Sequence, residues 1–494
     1  MKSATSKIFT LFKQSITYSA GNFLNKFLLF LMVPLYAEFI LPEDLSLLEI
    51  LDPAEQFIYG VLNLGMVHAF YRFYNKQESE EQRKKVISTV FWFITFMAIL
   101  VVLMLYLFAD PVIDLLLPAH SLARICYLLT LASLFFRYYN LVASAYLNST
   151  EQARRYSIWN IAGTAIFCFY NFYFLFFREA EIDAVFEARV FSMIPVNLVG
   201  IWACRSSISF SFDLRLLKKM LGFSYPFILS AAAYPILNYV DRWMLSELAS
   251  PEATGVYGMS YRFGMIPGML LVQPFLKAWR PFIYNYDDEE TRQVVYQRIL
   301  LYYTLVGAVL WLGLSVYSRE LIVLFTSEAY YDGHVIIPYV ACSQLFYGLG
   351  WIVVAGLAVK DKTFFIGFCT FLAGLLNILL NYLWIPEYEI LGAAYATVGA
   401  FLMIFLGYAI YSYIKLRLSW PITRFVSMIL FAWASFYVIS FIPVEQFWIG
   451  ILWKALALLC PIVLLAYMAG LNLFKLNEIS SLLAGDEPSN QQEN

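Results

Sequence analysis

Apolar runs of about twenty residues, parted by short polar segments, recur along the whole chain. Stretches such as Val86 to Phe108 and Ile299 to Val316 are apolar at every helical position, the pattern of a helix surrounded by hydrocarbon rather than one with a wet face. The ten-residue alternation of membrane strands is absent. The pattern therefore predicts an all-α membrane protein of about fourteen transmembrane helices, near residues 16–40, 45–73, 86–109, 121–147, 156–177, 183–204, 220–248, 253–283, 294–317, 333–359, 363–385, 390–414, 422–442 and 447–470. The longest connections, 74–85, 205–219, 284–293 and 318–332, are too short for a folded catalytic domain, so the pattern predicts that the chain is not an enzyme.

The polar punctuation is written twice. At an offset of about 209 residues Glu38, Pro42 and Glu43 fall on Glu247, Pro251 and Glu252, and Glu80, Glu81 and Arg83 fall on Glu289, Glu290 and Arg292. Two halves of six helices each follow, and an even number per half gives them the same orientation: a parallel repeat about the membrane normal, as in many transporters. The predicted organisation is a segment 1–14, a first lobe 15–207 (helices 1–6), a second lobe 208–415 (helices 7–12), an added helix pair 416–472 and a tail 473–494. The tail, polar from Gly485 on, is expected to be disordered.

Composition agrees with the pattern: 61% of residues are hydrophobic and 14% charged, and mean hydropathy is +0.68. A net charge of −2 carries no nucleic-acid footprint. Lys2, Lys7 and Lys13 precede the first span, and alternate loops are basic, with Arg72, Lys76, Arg83, Lys84 and Lys85, then Arg154 and Arg155, then Arg205, Arg215, Lys218 and Lys219. The bias predicts that these loops and both termini are cytoplasmic. The first span is too long for a signal peptide and is expected to stay in the mature chain. The six cysteines form no C-x-x-C pair, and His68, His120 and His334 share no ligand spacing, so neither metal nor cofactor is expected.

Charges inside the spans are the candidates for function, because hydrocarbon tolerates them only beside a partner or a cavity. Lys26 and Arg137 lie well inside first-half spans, and Asp52 and Glu55 share a helix face beside Pro53. Asp241, Arg242 and Arg262 lie in the second half. Asp52 follows Pro42 by ten residues and Arg262 follows Pro251 by eleven, which sets them at similar depth in equivalent helices. Asp52 and Glu55 are therefore expected to pair with Arg262 or Arg242 as a gate, or to drive coupling together with Asp241. The alternative is pairing within one half, such as Arg242 with Glu247. Lys26 and Arg137 suit a phosphate-bearing ligand, with Asn22 and Asn25 beside Lys26 as hydrogen-bonding groups for pyrophosphate or sugar. For these residues, interfacial snorkelling and helix-to-helix contacts stand as the competing reading.

Several segments resemble bacterial polysaccharide flippases. Val33-Pro34-Leu35-Tyr36 with Leu41-Pro42-Glu43-Asp44 resembles their first-helix signature, and Tyr239-Val240-Asp241-Arg242-Trp243 is similar to their seventh-span element. Gln273-Pro274-Phe275 and Asn377, Asn381, Ile385-Pro386 with Leu391-Gly392-Ala393-Ala394 are similar to two further junctions, while Leu45-Ser46-Leu47 departs from the pattern. The family implied is the polysaccharide-transport branch, with the O-antigen flippases, of the multidrug/oligosaccharidyl-lipid/polysaccharide exporter superfamily. The resemblance implies two six-helix lobes in a V, the shape of multidrug and toxin extrusion (MATE) transporters. It also implies translocation of undecaprenyl-pyrophosphate-linked oligosaccharide from the cytoplasmic to the periplasmic leaflet of the bacterial inner membrane. Its implied partners are that lipid-linked oligosaccharide, membrane lipids and the polysaccharide polymerase machinery. A cation-exporting multidrug transporter is the first alternative, against which the interior cations Lys26, Arg137, Arg189, Arg242 and Arg262 weigh, and a membrane-embedded polymerase or ligase is the second.

Overall fold

The structure is a computed structural model and describes residues 23–117, 119–150, 152–178, 181–225, 238–282, 289–354, 363–416, 419–442 and 446–470. Among these residues it is all-helical. Its helices are α1 (Met32–Phe39), α2 (Pro42–Leu62), α3 (Met66–Asn75), α4 (Glu80–Leu107), α5 (Ala109–Leu116), α6 (Ala123–Ser149), α7 (Ala153–Phe177), α8 (Asp183–Cys204) and α9 (Leu214–Ser224). They continue with α10 (Pro251–Gly264), α11 (Gln273–Phe282), α12 (Glu289–Val316), α13 (Ser318–Phe325), α14 (Ile337–Val353), α15 (Thr363–Leu416), α16 (Ile422–Ser440) and α17 (Phe447–Met468). Residues 23–30 and 238–248 are also helical.

Helix starts follow local chemistry. α2 begins with Pro42 in its first turn, where a missing N–H costs nothing, followed by Glu43 and Asp44 at the positive end of the helix dipole. Ser79 caps α4 by accepting from Gln82 N, and Asp213 caps α9 by accepting from Arg215 N and Leu216 N.

Nine helical segments among the described residues are long and apolar enough to cross a membrane. Of the expected crossing 220–248, residues 226–237 lie outside the described residues, and three other expected crossings are interrupted. Leu31 separates residues 23–30 from α1, and the run 45–73 breaks at Leu64 and Gly65, both with positive φ (53° and 66°), into α2 and α3. The run 253–283 contains a π-helical turn at Gly268–Val272. α15 instead joins two expected spans: its backbone reverses at Glu389 (φ 48°), and Gly392 packs against the Trp384 backbone where the two arms begin.

The described residues form two compact units. One holds the chain up to Phe263 with Ile322–Ile336 and Gly367–Ala400. Its core includes Phe70, Ile87, Val90, Ile94, Leu134 and Tyr138, drawn from α3, α4 and α6. The second holds Gly264–Leu321, Ile337–Ile366 and the residues from Phe401 onward. There Trp311 of α12 is buried, donates to Pro338 O at 2.7 Å and packs on Trp433 of α16 at 4.5 Å. Lys454 of α17 pairs with Glu320 of α13, tying the last helix to this unit.

Candidate functional site

The interior charges of the first unit gather around α2. Glu49, Asp52 and Glu55 are spaced by three residues, and at about 100° per residue each step turns the carboxylate by about 60° around the helix. Glu49 and Glu55 thus point about 120° apart, with Asp52 between them. One helix serves two sets of arginines.

Glu55 is fully buried and turned to its own half. Arg137 of α6 donates to its Oε1 at 3.2 Å, while Arg189 of α8 and Ser133 of α6 each donate to Oε2 at 3.2 Å. Arg189 Nη1 also makes an ion contact with Asp52 Oδ1 at 2.5 Å. The Arg137 guanidinium lies 4.9 Å from the Tyr59 ring centroid, and its side chain keeps 32% of its surface exposed.

Glu49 is turned to the second half. Its Oε2 accepts from Arg242 Nε at 3.1 Å and its Oε1 from Arg262 Nη2 at 2.5 Å. Arg242 also donates through Nη1 to Asp241 Oδ1 and to Asn238 O, both at 2.9 Å, and its guanidinium lies 4.3 Å from the Tyr261 centroid. The other oxygen of Asp241 accepts from Tyr257 at 2.7 Å and from Thr397 at 3.4 Å. Arg262 stands over Tyr36 at 5.7 Å and remains 28% exposed. Four carboxylates and four arginines thereby neutralise one another, each desolvated charge meeting the counter-ion it needs.

Close backbone approach sets this register. A Cβ on Gly255 would fall on the Pro42 carbonyl and one on Gly258 on the Glu49 carboxylate, so two glycines let α10 lie directly against α2. The same end is sealed further by Ser327, which donates to Ala37 O at 2.6 Å, and by buried Tyr330, which donates to Ile40 O at 2.8 Å. Phe30, Phe263 and Phe325 pack edge-on beside them.

The expected pairing of Asp52 and Glu55 with Arg262 or Arg242 is corrected by this geometry. Counting from Pro42 and Pro251 aligns Asp52 with Arg262, but contact at Gly255 and Gly258 brings Arg262 level with Glu49, a turn nearer the Pro42 end. Asp52 and Glu55 pair within the first half, with Arg189 and Arg137. Arg242 turns to Asp241 and Glu49 rather than to Glu247. Lys26 is exposed on the helical residues 23–30, and neighbouring Asn25 donates to Asn160 Oδ1 of α7 at 2.5 Å. Asn22 lies outside the described residues. Glu49 is the central group that sequence reasoning passed over, and Arg189, counted among the interior cations, was given no partner. The signal was present: Glu49 precedes Asp52 by the interval that separates Asp52 from Glu55, and Arg189 is a charge within a span.

A family model described as "Polysaccharide biosynthesis protein" matches residues 11–286, more than half of the chain. Comparison with curated protein sequences gives no significant match. Among solved structures, "Lipid II flippase MurJ, inward closed conformation" is similar with a TM-score of 0.74 at 19% identity, over 92% of this chain and 99% of that one. An inward-facing multidrug resistance MATE family transporter of the MOP superfamily gives 0.66 at 13% identity, over 79% and 94%. An outward-facing one gives 0.57 at 15% identity, over 82% and 96%. At these identities the likeness shows the fold alone.

Proposed function

The chain belongs to the polysaccharide biosynthesis protein family, and from that premise we propose that it is a flippase for undecaprenyl-pyrophosphate-linked oligosaccharide, the repeat unit of a surface polysaccharide. It works by alternating access, from the cytoplasmic to the periplasmic leaflet of a bacterial inner membrane, with both termini in the cytoplasm. No bond is made or broken. The glycan then becomes available to polymerase machinery on the far side.

One observation carries the reading: Arg137 and Arg262 are partly exposed cations, each held by one carboxylate of the same helix. A guanidinium in this setting can exchange a carboxylate for a phosphate, whose oxygens accept the same forked hydrogen bonds. Lys26, Asn22 and Asn25 supply further contacts to the pyrophosphate and first sugar. The lipid tail stays in the bilayer, so only the polar head needs shelter.

Glu49 is the gate in this reading. With Glu49 bound to Arg242 and Arg262, the Pro42 end is shut. When the halves part, Arg242 keeps Asp241 while Arg262 is released toward the phosphates. Asp52, Glu55 and Asp241 hold the arginines in place and are the groups through which an ion gradient would couple. A multidrug-type cation exporter is the second reading, supported by the fold. Arginine contacts on Glu49, Asp52, Glu55 and Asp241 weigh against it, because an organic cation needs an uncommitted carboxylate.

Extraction of lipid co-purified with the wild type and with a Lys26→Ala, Arg137→Ala double variant tests the proposal. Recovery of pyrophosphate-linked glycan should fall by about tenfold in the variant. Equal recovery from both would remove the phosphate site, and organic-cation export without bound polyprenyl glycan would establish the second reading.

A further inference from the structure

A cavity of about 420 Å³ lies at one end of the first unit, away from the charged cluster, lined by Lys85, Thr89, Ser211, Phe212, Asp213 and Arg215. It forms where α4 begins and where the chain passes from α8 to α9. Its wall is built rather than loose. Ser88 Oγ accepts from Ser209 N at 2.8 Å, Thr89 Oγ1 accepts from Asp213 N at 3.2 Å, and Trp92 donates to Ser209 O at 3.0 Å. Three side chains of α4 thus hold residues 209–213 in one conformation.

The cavity lining carries two cations against one carboxylate, a single net positive charge. The Asp213 carboxylate is committed to the first turn of α9, where it accepts from two backbone N–H groups at 2.9 Å. Among the described residues Lys85 makes an ion contact with exposed Glu81 at 3.6 Å, worth little in water. Lys85 and Arg215 present positive charge at the cavity beside the Ser211 hydroxyl, which shares a hydrogen bond of 2.8 Å with Ser209 Oγ and keeps hydrogen-bonding capacity for a ligand.

Apolar groups continue outward from that rim. Phe210 is 98% exposed and stacks on Trp92 at 5.2 Å, while Phe212, Leu214 and Trp202 are more than half exposed. Trp92 lies one turn beyond Thr89 in the membrane-crossing α4, and Trp202 lies near the end of membrane-crossing α8. Aromatic side chains at the ends of spans mark headgroup depth, and this end carries the basic loops assigned to the cytoplasm. A basic cavity with an apolar lip at that depth matches a molecule with an anionic head and a hydrocarbon body.

We propose that this cavity is a binding site for an anionic glycerophospholipid: the phosphodiester meets Lys85, Arg215 and Ser211, and the acyl chains lie along Phe210 and Trp92. The site couples the junction between the two sequence repeats to the charge of the surrounding leaflet, independently of the transported substrate.

Native mass spectrometry of delipidated protein supplemented with phosphatidylglycerol or phosphatidylcholine tests this. The wild type should retain phosphatidylglycerol about tenfold better than phosphatidylcholine. A Lys85→Gln, Arg215→Gln variant should lose that preference, and Phe210→Ser should weaken both lipids. A Lys218→Gln, Lys219→Gln variant removes the same charge from α9 outside the cavity and should behave as the wild type. An equal loss in that control would show diffuse attraction to the helix and overturn the site. Retained preference in the Lys85, Arg215 variant would overturn it as well. Equal competition by soluble glycerol phosphate would make it a phosphate site and reject the lipid. Thermal unfolding of each variant without added lipid separates loss of binding from loss of fold.

Discussion

Glu49 and Arg262, separated by 213 positions, meet through a direct hydrogen bond between the two repeats. The contact depends on a helix pair that touches at glycine, and Arg242 reaches the other oxygen of the same carboxylate. One side chain therefore serves both second-half arginines. A double-mutant cycle with Glu49→Gln and Arg262→Gln should give a coupling energy of about 1–3 kcal/mol in thermal or denaturant unfolding. Additive effects would show that the two groups do not support one another.

Gly258 tests the register. Gly258→Ala places a methyl group on the Glu49 carboxylate and should destabilise the protein by about 1–3 kcal/mol. Cysteines introduced as Ala37→Cys and Ser327→Cys should cross-link readily in the parent and more slowly with Gly258→Ala, since the turn after Ser327 packs on α10 through Gly333 against Val256 and Ser260 and must move with it. An unchanged cross-linking rate would place the contact elsewhere.

Arg189 should matter more to stability than Arg137. Arg189→Leu strips the counter-ion from Asp52 and one partner from Glu55, at a cost of about 3–5 kcal/mol. Adding Asp52→Asn and Glu55→Gln should recover part of that loss. Arg137→Gln leaves Arg189 and Ser133 on Glu55, so its stability loss should be smaller while its loss of lipid-pyrophosphate glycan is larger. The opposite ordering in paired melting and lipid-recovery measurements would exchange the two roles.

Lys454 offers a contrast away from the proposed binding groups. Lys454→Met leaves half-buried Glu320 without its cation and should lower stability by about 1–3 kcal/mol. Glu320→Gln on the same background should restore part of it. Glycan recovery per folded molecule should stay at the wild-type level in both.

Much of this was legible in the chain. Span-length apolar runs are a one-dimensional signal, and so are charges inside them, which is why Asp52, Glu55, Arg137, Arg242 and Arg262 could be singled out. Their partners are a three-dimensional matter. Distance from a proline estimates depth along one helix, whereas the level at which two helices touch depends on where neither has a side chain. Gly255 and Gly258 supply that level, and their effect on Glu49 appears only once α10 and α2 are set together. Arg189 was seen as an interior cation but left without a partner, because nothing in its spacing singled out Asp52 or Glu55. The break at Leu64 and Gly65 was hidden because Leu64 adopts a backbone that leucine rarely takes, with no mark in the surrounding composition.

The balance of four carboxylates against four arginines has an electrical consequence. While Glu49 holds Arg242 and Arg262 the cluster moves as one neutral body and gains nothing from the membrane voltage; only the parting of Glu49 from Arg262 separates charge. The voltage acts chiefly on the cargo. Two negative charges on a pyrophosphate leaving a negatively polarised interior would release about 5 kcal/mol per 100 mV. In the proposed cycle the loaded transit therefore carries most of the charge movement, and the empty return carries only that of the Glu49 and Arg262 pair.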